Sequence, residues 1–405
     1  VDEAHNLVNR ARGMYSACLV KEDILQVKRI IKAKAPRLER ALERCNRNLL
    51  EWKRESAGYQ ILPDANLLVS NLLTVMGEFE PFLEEHREFP ERDMVLQFYF
   101  DLRHFLNMYD GLGDHYRIYT ELGADGKFCL YLFCIDPSRC LHACLKQGIA
   151  GIFFSATMIP VTYYKKLLSG NPEDYAIYAN SPFDGRKRQI LIAKDVSSRY
   201  TRRNRTEFGK VAEYITKLAH SHIGNYMVFF PSYNYMEAVE QILDEQYDGT
   251  FRWQMQTNRM TEEEREQFLE QFEEQKKQSF VGLCVLGGIF SEGIDLKAER
   301  LEGTIIVGTG LPMVCSEQEI LMQYFDEQGE NGYDYAYQYP GMNKVLQAAG
   351  RVIRTAKDRG VILLLDDRFL RREIQELFPR EWTEYGIVTR ETVDGWLQNF
   401  WETVS

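Results

Sequence analysis

From residue 184 onward, short apolar runs alternate with longer amphipathic stretches, and this rhythm narrows the possible folds more than any other feature of the chain. The apolar runs are Gln189 to Ala193, Tyr226 to Phe230, Val281 to Leu286, Thr304 to Val307 and Val361 to Leu365. Strands of that kind with helices between them specify a parallel sheet covered on both faces. An α/β domain is therefore expected over 184–405. The stretch from Thr261 to Lys277 is so rich in Glu and Lys that it reads as a helix with a solvated face.

The first part of the chain has a different texture. Residues 12–55 carry Lys, Arg, Glu, Leu and Ala with apolar positions at i, i+3 and i+4, which predicts long helices. A second helical pattern runs from Leu67 to Phe105, with Pro63, Pro81 and Pro90 as breaks. The period then shifts to two over Tyr116 to Leu122 and Lys127 to Ile135, which flank a Gly-Ala-Asp-Gly turn and predict a hairpin. Ile149 to Phe154 reads as a buried strand that delivers Ser155-Ala156-Thr157 at its carboxyl end, where open α/β sheets place ligands. One reading of Ser155 and Thr157 is a helix cap before Val161.

With 405 residues the chain can bury more than one core, and two to three domains are expected. No run of about 18 apolar residues marks a membrane span, and no leader marks secretion, so a cytoplasmic setting is the default expectation. The formal charge of -11 argues against a protein coated in nucleic acid. Basic clusters occur locally, at Arg186-Lys187-Arg188 and at Arg199, Arg202, Arg203 and Arg205. The second could touch DNA or a domain interface, or could be a solvated loop. Cys129, Cys134, Cys140 and Cys144 lack the C-x₂-C spacing of a zinc site, and Cys129 and Cys134 fall on opposite faces of a strand. They are expected to be buried structural thiols.

Two patterns carry chemistry. Gln347-Ala-Ala-Gly350-Arg351-Val-Ile-Arg354 places an amide and two guanidinium groups four and then three residues apart, along a single helix face. Ala348, Ala349, Val352 and Ile353 would bury against a sheet and leave Arg351 and Arg354 aimed outward at phosphate, the layout of an arginine finger. At the other end Asp2 and Glu3 form a carboxylate pair suited to Mg²⁺ and to activation of water, with a chance surface acidic pair as the alternative. Gly287, Gly288 and Gly293 bracket a loop where backbone can approach a ligand or DNA closely, with a plain glycine turn as the alternative.

These segments resemble the XPD/DinG-like family of superfamily 2 DNA helicases. The motifs that carry the resemblance follow in the family's order: Asp2-Glu3-Ala4-His5, Phe153-Phe-Ser155-Ala-Thr157-Met-Ile-Pro160, Gly224-Asn-Tyr-Met-Val-Phe-Phe-Pro-Ser232-Tyr233, Gly287-Gly-Ile-Phe-Ser-Glu-Gly293-Ile-Asp295-Leu, Gln347 to Arg354, and Gly360-Val-Ile-Leu-Leu-Leu-Asp366-Asp-Arg368. The resemblance implies a RecA-like parallel-sheet motor domain over 184–405. It further implies an inserted all-helical arch over 15–145 that ends in a β-hairpin, and an incomplete first motor domain made of 1–14 and 146–183. It also implies ATP and Mg²⁺ as ligands, single-stranded DNA as partner, and 5′ to 3′ movement.

By the same resemblance Asp2 would hold the Mg²⁺ shell, Glu3 would orient the attacking water, and Arg351 and Arg354 would stabilise the transferred phosphoryl group. Gln347 would line the nucleotide cleft, and Gly293 and Asp295 would meet the nucleotide, Asp295 at the ribose. Ser232, Tyr233, Arg199, Arg202 and Gly288 are the expected DNA contacts. His5, Ser155 and Thr157 would couple the two events, although His5 can equally be read as a local cap.

No G-x-x-x-x-G-K-[ST] phosphate loop occurs in the chain. The expectation is therefore a carboxyl-terminal part of a longer helicase, inactive alone, whose first motor domain and phosphate loop lie upstream. An iron–sulfur cluster is expected only in that upstream region. Two alternatives stay open: a non-catalytic DNA-binding or scaffolding derivative, and a helicase-like protein whose main activity is an upstream nuclease domain.

Overall fold

Seven strands with parallel pairing organise the second half of the chain in the computed structural model: β5 (Arg188–Ala193), β6 (Asn225–Phe230), β7 (Phe251–Met255), β8 (Ser279–Val285), β9 (Gly303–Val307), β10 (Gly360–Leu365) and β11 (Gly386–Val388). Their order is β11-β5-β10-β9-β6-β8-β7, and every pair is parallel. Four strands precede them: β1 (Ala17–Val20), β2 (Tyr59–Leu62), β3 (Tyr116–Leu122) and β4 (Phe128–Cys134), in an antiparallel sheet of order β1-β4-β3-β2. The structure describes all residues except 33, 57, 247–248, 274–276, 291–299 and 404–405. The chain divides into two units, Val1–Ser155 with Thr162–Asp174, and Ala156–Val161 with Tyr175–Ser405.

In the second unit, alternation along each central strand sends side chains to two separate apolar layers. Leu191, Ala193, Val228, Phe230, Val361, Leu363 and Leu365 meet helices Arg205–Ser221, Tyr233–Glu245 and Val393–Thr403 on one face. Ile190, Ile192, Met227, Phe229, Ile362 and Leu364 meet Phe268, Val345, Leu346, Ala348 and Ala349 on the other. Each fully buried side chain of this size contributes about 1.5–3 kcal/mol by removal from water, so neither face could stay bare. β7 and β11 lie at the sheet edges and were not among the runs read as strands. β7 alternates buried and exposed residues, and β11 has only three, so neither shows the continuous apolar run of a central strand.

The first unit packs helices Lys21–Ile31, Pro36–Glu55, Asn66–Glu85 and Arg92–Asp110 on one face of the antiparallel sheet. Leu42, Leu49, Leu68, Leu72, Phe79, Leu102 and Phe105 from the helices meet Ala17, Leu19, Ile118, Leu130 and Leu132 from the strands. The region is thus not all-helical, because β1 and β2 join the hairpin β3–β4 to make a sheet. Pro81, expected as a break, sits inside helix Asn66–Glu85. The carbonyl that its ring crowds belongs to Gly77, which has open space around it, so the backbone can tilt there.

Two sequence expectations fail here. Ile149 to Phe154 is not a buried strand: Ile149, Ile152 and Phe154 are exposed. The segment pairs only with the first residues of the chain, through Phe154 N–H to the Val1 carbonyl (3.1 Å) and Ala4 N–H to the Phe154 carbonyl (3.2 Å). An apolar run is buried only where a layer covers it, and none among the described residues of this unit does. The four cysteines are not uniformly buried either. Cys134 is buried, Cys129 and Cys140 are half-buried, and Cys144 is exposed with its Sγ 3.4 Å from the Tyr15 hydroxyl. The helix expected over Thr261 to Lys277 spans Glu262–Glu270, started by a capping box between Thr261 and Glu264.

The helix Tyr339–Ala349 is seated on the sheet by backbone touching backbone. A Cβ on Gly341 would lie 2.7 Å from the Thr309 carbonyl oxygen, and one on Gly310 would lie 2.3 Å from the Gly341 carbonyl oxygen. Gly310 also has φ +70, a conformation that favours glycine. Gly341→Val should destabilise the protein by about 2 kcal/mol or more in denaturant unfolding, since backbone atoms cannot step aside. Gly209→Ala, in open space on helix Arg205–Ser221, should be neutral or slightly stabilising in the same assay.

Candidate nucleotide and nucleic-acid sites

Because every strand of the second unit points the same way, the loops leaving β5, β6, β7, β8, β9 and β10 emerge along one edge. Ser232 follows β6 and caps helix Tyr233–Glu245, accepting the Tyr235 N–H at 3.3 Å. Its neighbour Tyr233 is half-buried, with its hydroxyl accepting from Gln256 Nε2 at 2.9 Å. Gln256, just after β7, also accepts the Val285 N–H at 3.0 Å and stands 3.2 Å from where a Cβ on Gly288 would be. One buried amide thus ties the ends of β6, β7 and β8 together. Gln256 was missed in the sequence because a glutamine in a polar stretch looks like surface. Gly293 and Asp295, expected at the nucleotide, lie outside the described residues.

At the same edge the Ser197-Ser198-Arg199 loop after β5 is pinned by a buried network. Asp366, at the end of β10, accepts the Ser198 N–H (2.9 Å) and hydroxyl (2.7 Å) and the Arg368 Nε (2.7 Å). Burial pushes the Asp366 carboxyl up, but the Arg368 guanidinium and Ser198 outweigh it and hold it below the ordinary carboxylate range. Arg199 lies 3.4 Å from Asp367, Arg202 donates to Glu207 at 2.9 Å, and Arg205 pairs with Glu245. Arg199 and Arg202 keep partial exposure but already meet carboxylates, which moderates the positive potential the loop suggested. Tyr200 is exposed, with the Arg203 guanidinium 5.5 Å from its ring centroid.

The arginine segment differs from its sequence reading. Helix Tyr339–Ala349 stops before the arginines, so Gln347 is on the helix while Arg351 and Arg354 lie on the loop beyond Gly350. The assumed helix continuation fails because Asp358 captures the backbone: its carboxylate accepts the N–H groups of Arg354 and Thr355, both at 2.8 Å, and the Thr355 hydroxyl at 2.6 Å. Lys187 Nζ holds the same loop through the Ala356 carbonyl at 2.7 Å. Arg351 is 8% exposed, so it does not project into solvent as expected. Val352 packs where β9 and β10 begin, 2.5 Å from a Cβ built on Gly360. Arg351 therefore flanks the amino-terminal edge of the sheet, opposite the edge that carries Tyr233 and Gly288.

In the first unit, two segments far apart in sequence converge. His5 Nδ1 is 2.6 Å from the Ser155 hydroxyl and 3.2 Å from Glu3 Oε2, and Ser155 donates to Glu3 Oε2 at 3.2 Å. His5 is buried, whereas Asp2 and Glu3 are exposed, with Asp2 Oδ1 accepting the Glu3 N–H at 2.7 Å. Glu3 takes a left-handed backbone, φ 47, uncommon for a residue other than glycine. Among the described residues no cluster of three or more His, Cys, Asp or Glu could hold a metal ion. Mg²⁺ asks for less, one or two carboxylates plus phosphate oxygens and water, and the exposed Asp2 carboxylate fits that demand. Thr157 is buried in the second unit. Helix Val161–Leu168 begins four residues after Thr157, so neither Thr157 nor Ser155 stands at its cap position.

The Asp366 network sets a measurable pH dependence. Its stabilisation is complete above the unfolded carboxylate pKa of about 4 and is lost as pH falls through the lower folded value. Asp366→Asn should cost about 3 kcal/mol at pH 7, because it strands the Arg368 charge. In denaturant titrations the gap between wild type and variant should hold to about pH 5 and close in stronger acid.

Comparison with known proteins agrees with this architecture. Residues 215–385 match the helicase C-terminal domain model. The chain is 26% identical over 239 residues to a probable ATP-dependent helicase of Methanocaldococcus jannaschii, covering 56% of this chain and 33% of that protein. It is 22% identical over 443 residues to the ATP-dependent DNA helicase CHL1 of Eremothecium gossypii, covering 93% and 53%. With the transcription and DNA repair factor IIH helicase subunit XPD/RAD3 of Saccharomyces cerevisiae it shares 26% identity over 272 residues, covering 63% and 34%. The chain thus spans about half or less of the length of these relatives. Among solved structures, Xpd4 of S. tokodaii superposes with a TM-score of 0.62 at 15% identity, over 96% of this chain and 75% of that one. An apo XPD structure gives 0.60 at 18% identity, over 96% and 76%. No helix among the described residues is long and apolar enough to cross a membrane. The ordered motifs, the matched helicase C-terminal domain and the shared fold make this chain similar to the XPD/Rad3/CHL1 helicases.

Proposed function

We propose that this chain provides the arch and second motor domain, with part of the first, of an ATP-dependent DNA helicase. In this reading DNA-stimulated hydrolysis of ATP drives movement on single-stranded DNA, 5′ to 3′. The observation that carries it is the Glu3–His5–Ser155 cluster, which joins segments 150 residues apart through a 2.6 Å hydrogen bond. A buried histidine that touches both an exposed carboxylate and the hydroxyl leading into the Thr157 segment is built to relay a change from one to the other.

In this mechanism Glu3 orients water and Asp2 holds the metal shell. Bound Mg²⁺ supplies positive charge that offsets the developing negative charge on the phosphates. Arg351 and Arg354 stabilise the transferred phosphoryl group, and the fixed loop around Asp358 lowers the reorganisation needed at that moment. Gln347 lines the nucleotide cleft, and Gly293 and Asp295 meet the nucleotide. Ser232, Tyr233, Gly288, Arg199 and Arg202 face the strand. The carboxylate partners of Arg199 and Arg202 favour a second reading, in which that loop docks protein rather than DNA and the chain acts as a scaffold.

In the full-length protein, Arg354→Ala should retain ATP binding and lose DNA-stimulated turnover by about 10³-fold or more, measured as steady-state phosphate release. Unchanged turnover removes the finger role and favours the scaffold. The purified 405 residues, which contain no phosphate-loop sequence, should release no phosphate from ATP above background even with single-stranded DNA present.

A further inference from the structure

Lys344 is a cation without a counterpart among the described residues. It lies on helix Tyr339–Ala349, three residues before Gln347, and is half-buried. Among the described residues its ammonium has no hydrogen-bond or ion-pair partner, and burial alone pulls its pKa down. Most basic side chains near the sheet ends do have partners, as Arg199, Arg202, Arg368 and Lys187 show. An ammonium drawn partly out of water without an opposite charge is a standing cost, and that cost is offset when an anion arrives.

The place where Lys344 ends identifies the anion's setting. Its side chain covers Gly287, the first residue after β8 and Leu286: a Cβ there would lie 3.1 Å from Lys344 Cδ, 3.2 Å from Cε and 3.5 Å from Nζ. Gly287 has φ +78, a conformation that favours glycine, and is exposed. Next along this edge come Gly288, then Gln256, then the Tyr233 ring held by Gln256 through its hydroxyl. A cation and an aromatic ring joined by a strip of bare backbone are the parts that grip a single strand, the cation at a phosphate and the ring under a base. Val352, the residue after Arg351, packs at the opposite edge of the sheet, beside the starts of β9 and β10.

We propose that Lys344 binds a backbone phosphate of single-stranded nucleic acid, at the end of β8 over the Gly287–Gly288 turn. The proposal rests on the helicase reading above and adds to it a residue outside the arginine motif. It also assigns helix Tyr339–Ala349 two duties, with the strand met from its middle and the nucleotide groups carried past its end.

The test uses the full-length protein and two probes, a labelled oligo-dT single strand followed by fluorescence anisotropy over a salt series, and ATP followed by the KM of hydrolysis. Lys344→Gln should weaken oligo-dT binding about tenfold and flatten the salt dependence by about 0.7 in the log–log slope, one phosphate contact on a single strand. Lys344→Arg should restore most of both, and the KM for ATP should stay unchanged. Melting of Lys344→Gln should occur at the wild-type temperature or above, since a half-buried unpaired charge has been removed. The proposal is overturned if Lys344→Gln binds oligo-dT with the wild-type affinity and slope, if only the KM for ATP moves, or if melting falls and Arg does not rescue. A wild-type protein that neither binds oligo-dT nor hydrolyses ATP would instead bring down the helicase reading itself.

Discussion

Parallel pairing of the seven-stranded sheet is the constraint on which the second unit depends. Strands that all run one way force every connecting segment to return across a face, so each face needs helices and each edge collects loops of one kind. The carboxyl-terminal edge gathers Ser198, Ser232, Tyr233, Gln256, Gly287 and Asp366 from segments more than 160 residues apart in sequence. The amino-terminal edge receives the segment after each return helix, including Val352 and its neighbour Arg351. Separation of the edge that carries Tyr233 from the edge beside Val352 thus arises from topology before any side chain is chosen.

Polar groups then hold these loops at fixed positions. Asp366 joins β10 to the loop after β5, Gln256 joins the ends of β6, β7 and β8, and Asp358 stops the helix that would otherwise run on through Arg354. All three are buried and all three satisfy backbone N–H groups that have no partner in the sheet or helix. Such groups cost little when every bond is made and much when one is lost, so they act as pins more than as glue. In the first unit the Glu3–His5–Ser155 cluster has the same character, with a buried imidazole between two polar groups.

The sequence was most readable where burial was complete. The five strands with continuous apolar runs stand close to where the pattern put them, because a strand covered on both faces has no position for a polar residue. β7 and β11 escaped because an edge strand needs fewer apolar residues. Ile149 to Phe154 misled for the opposite reason, since apolar character records a need for cover and says nothing of whether cover is present. Spacing in Gln347 to Arg354 suggested one helix face, but a carboxylate four residues beyond the last arginine redirected the backbone.

Local chemistry along the chain therefore determined the central strands, the helices of the first unit, the hairpin β3–β4, and the motifs that carry the resemblance to helicases, because those depend on periodicity and on neighbours close in sequence. Only the tertiary structure decided that Arg351 is buried and off the helix, that His5 meets Ser155, that Gln256 binds three strand ends, and that Lys344 stands over Gly287. Those outcomes are set by contacts between residues from 4 to 150 positions apart. The energy of such a contact depends on burial and geometry that exist only once the chain has closed on itself.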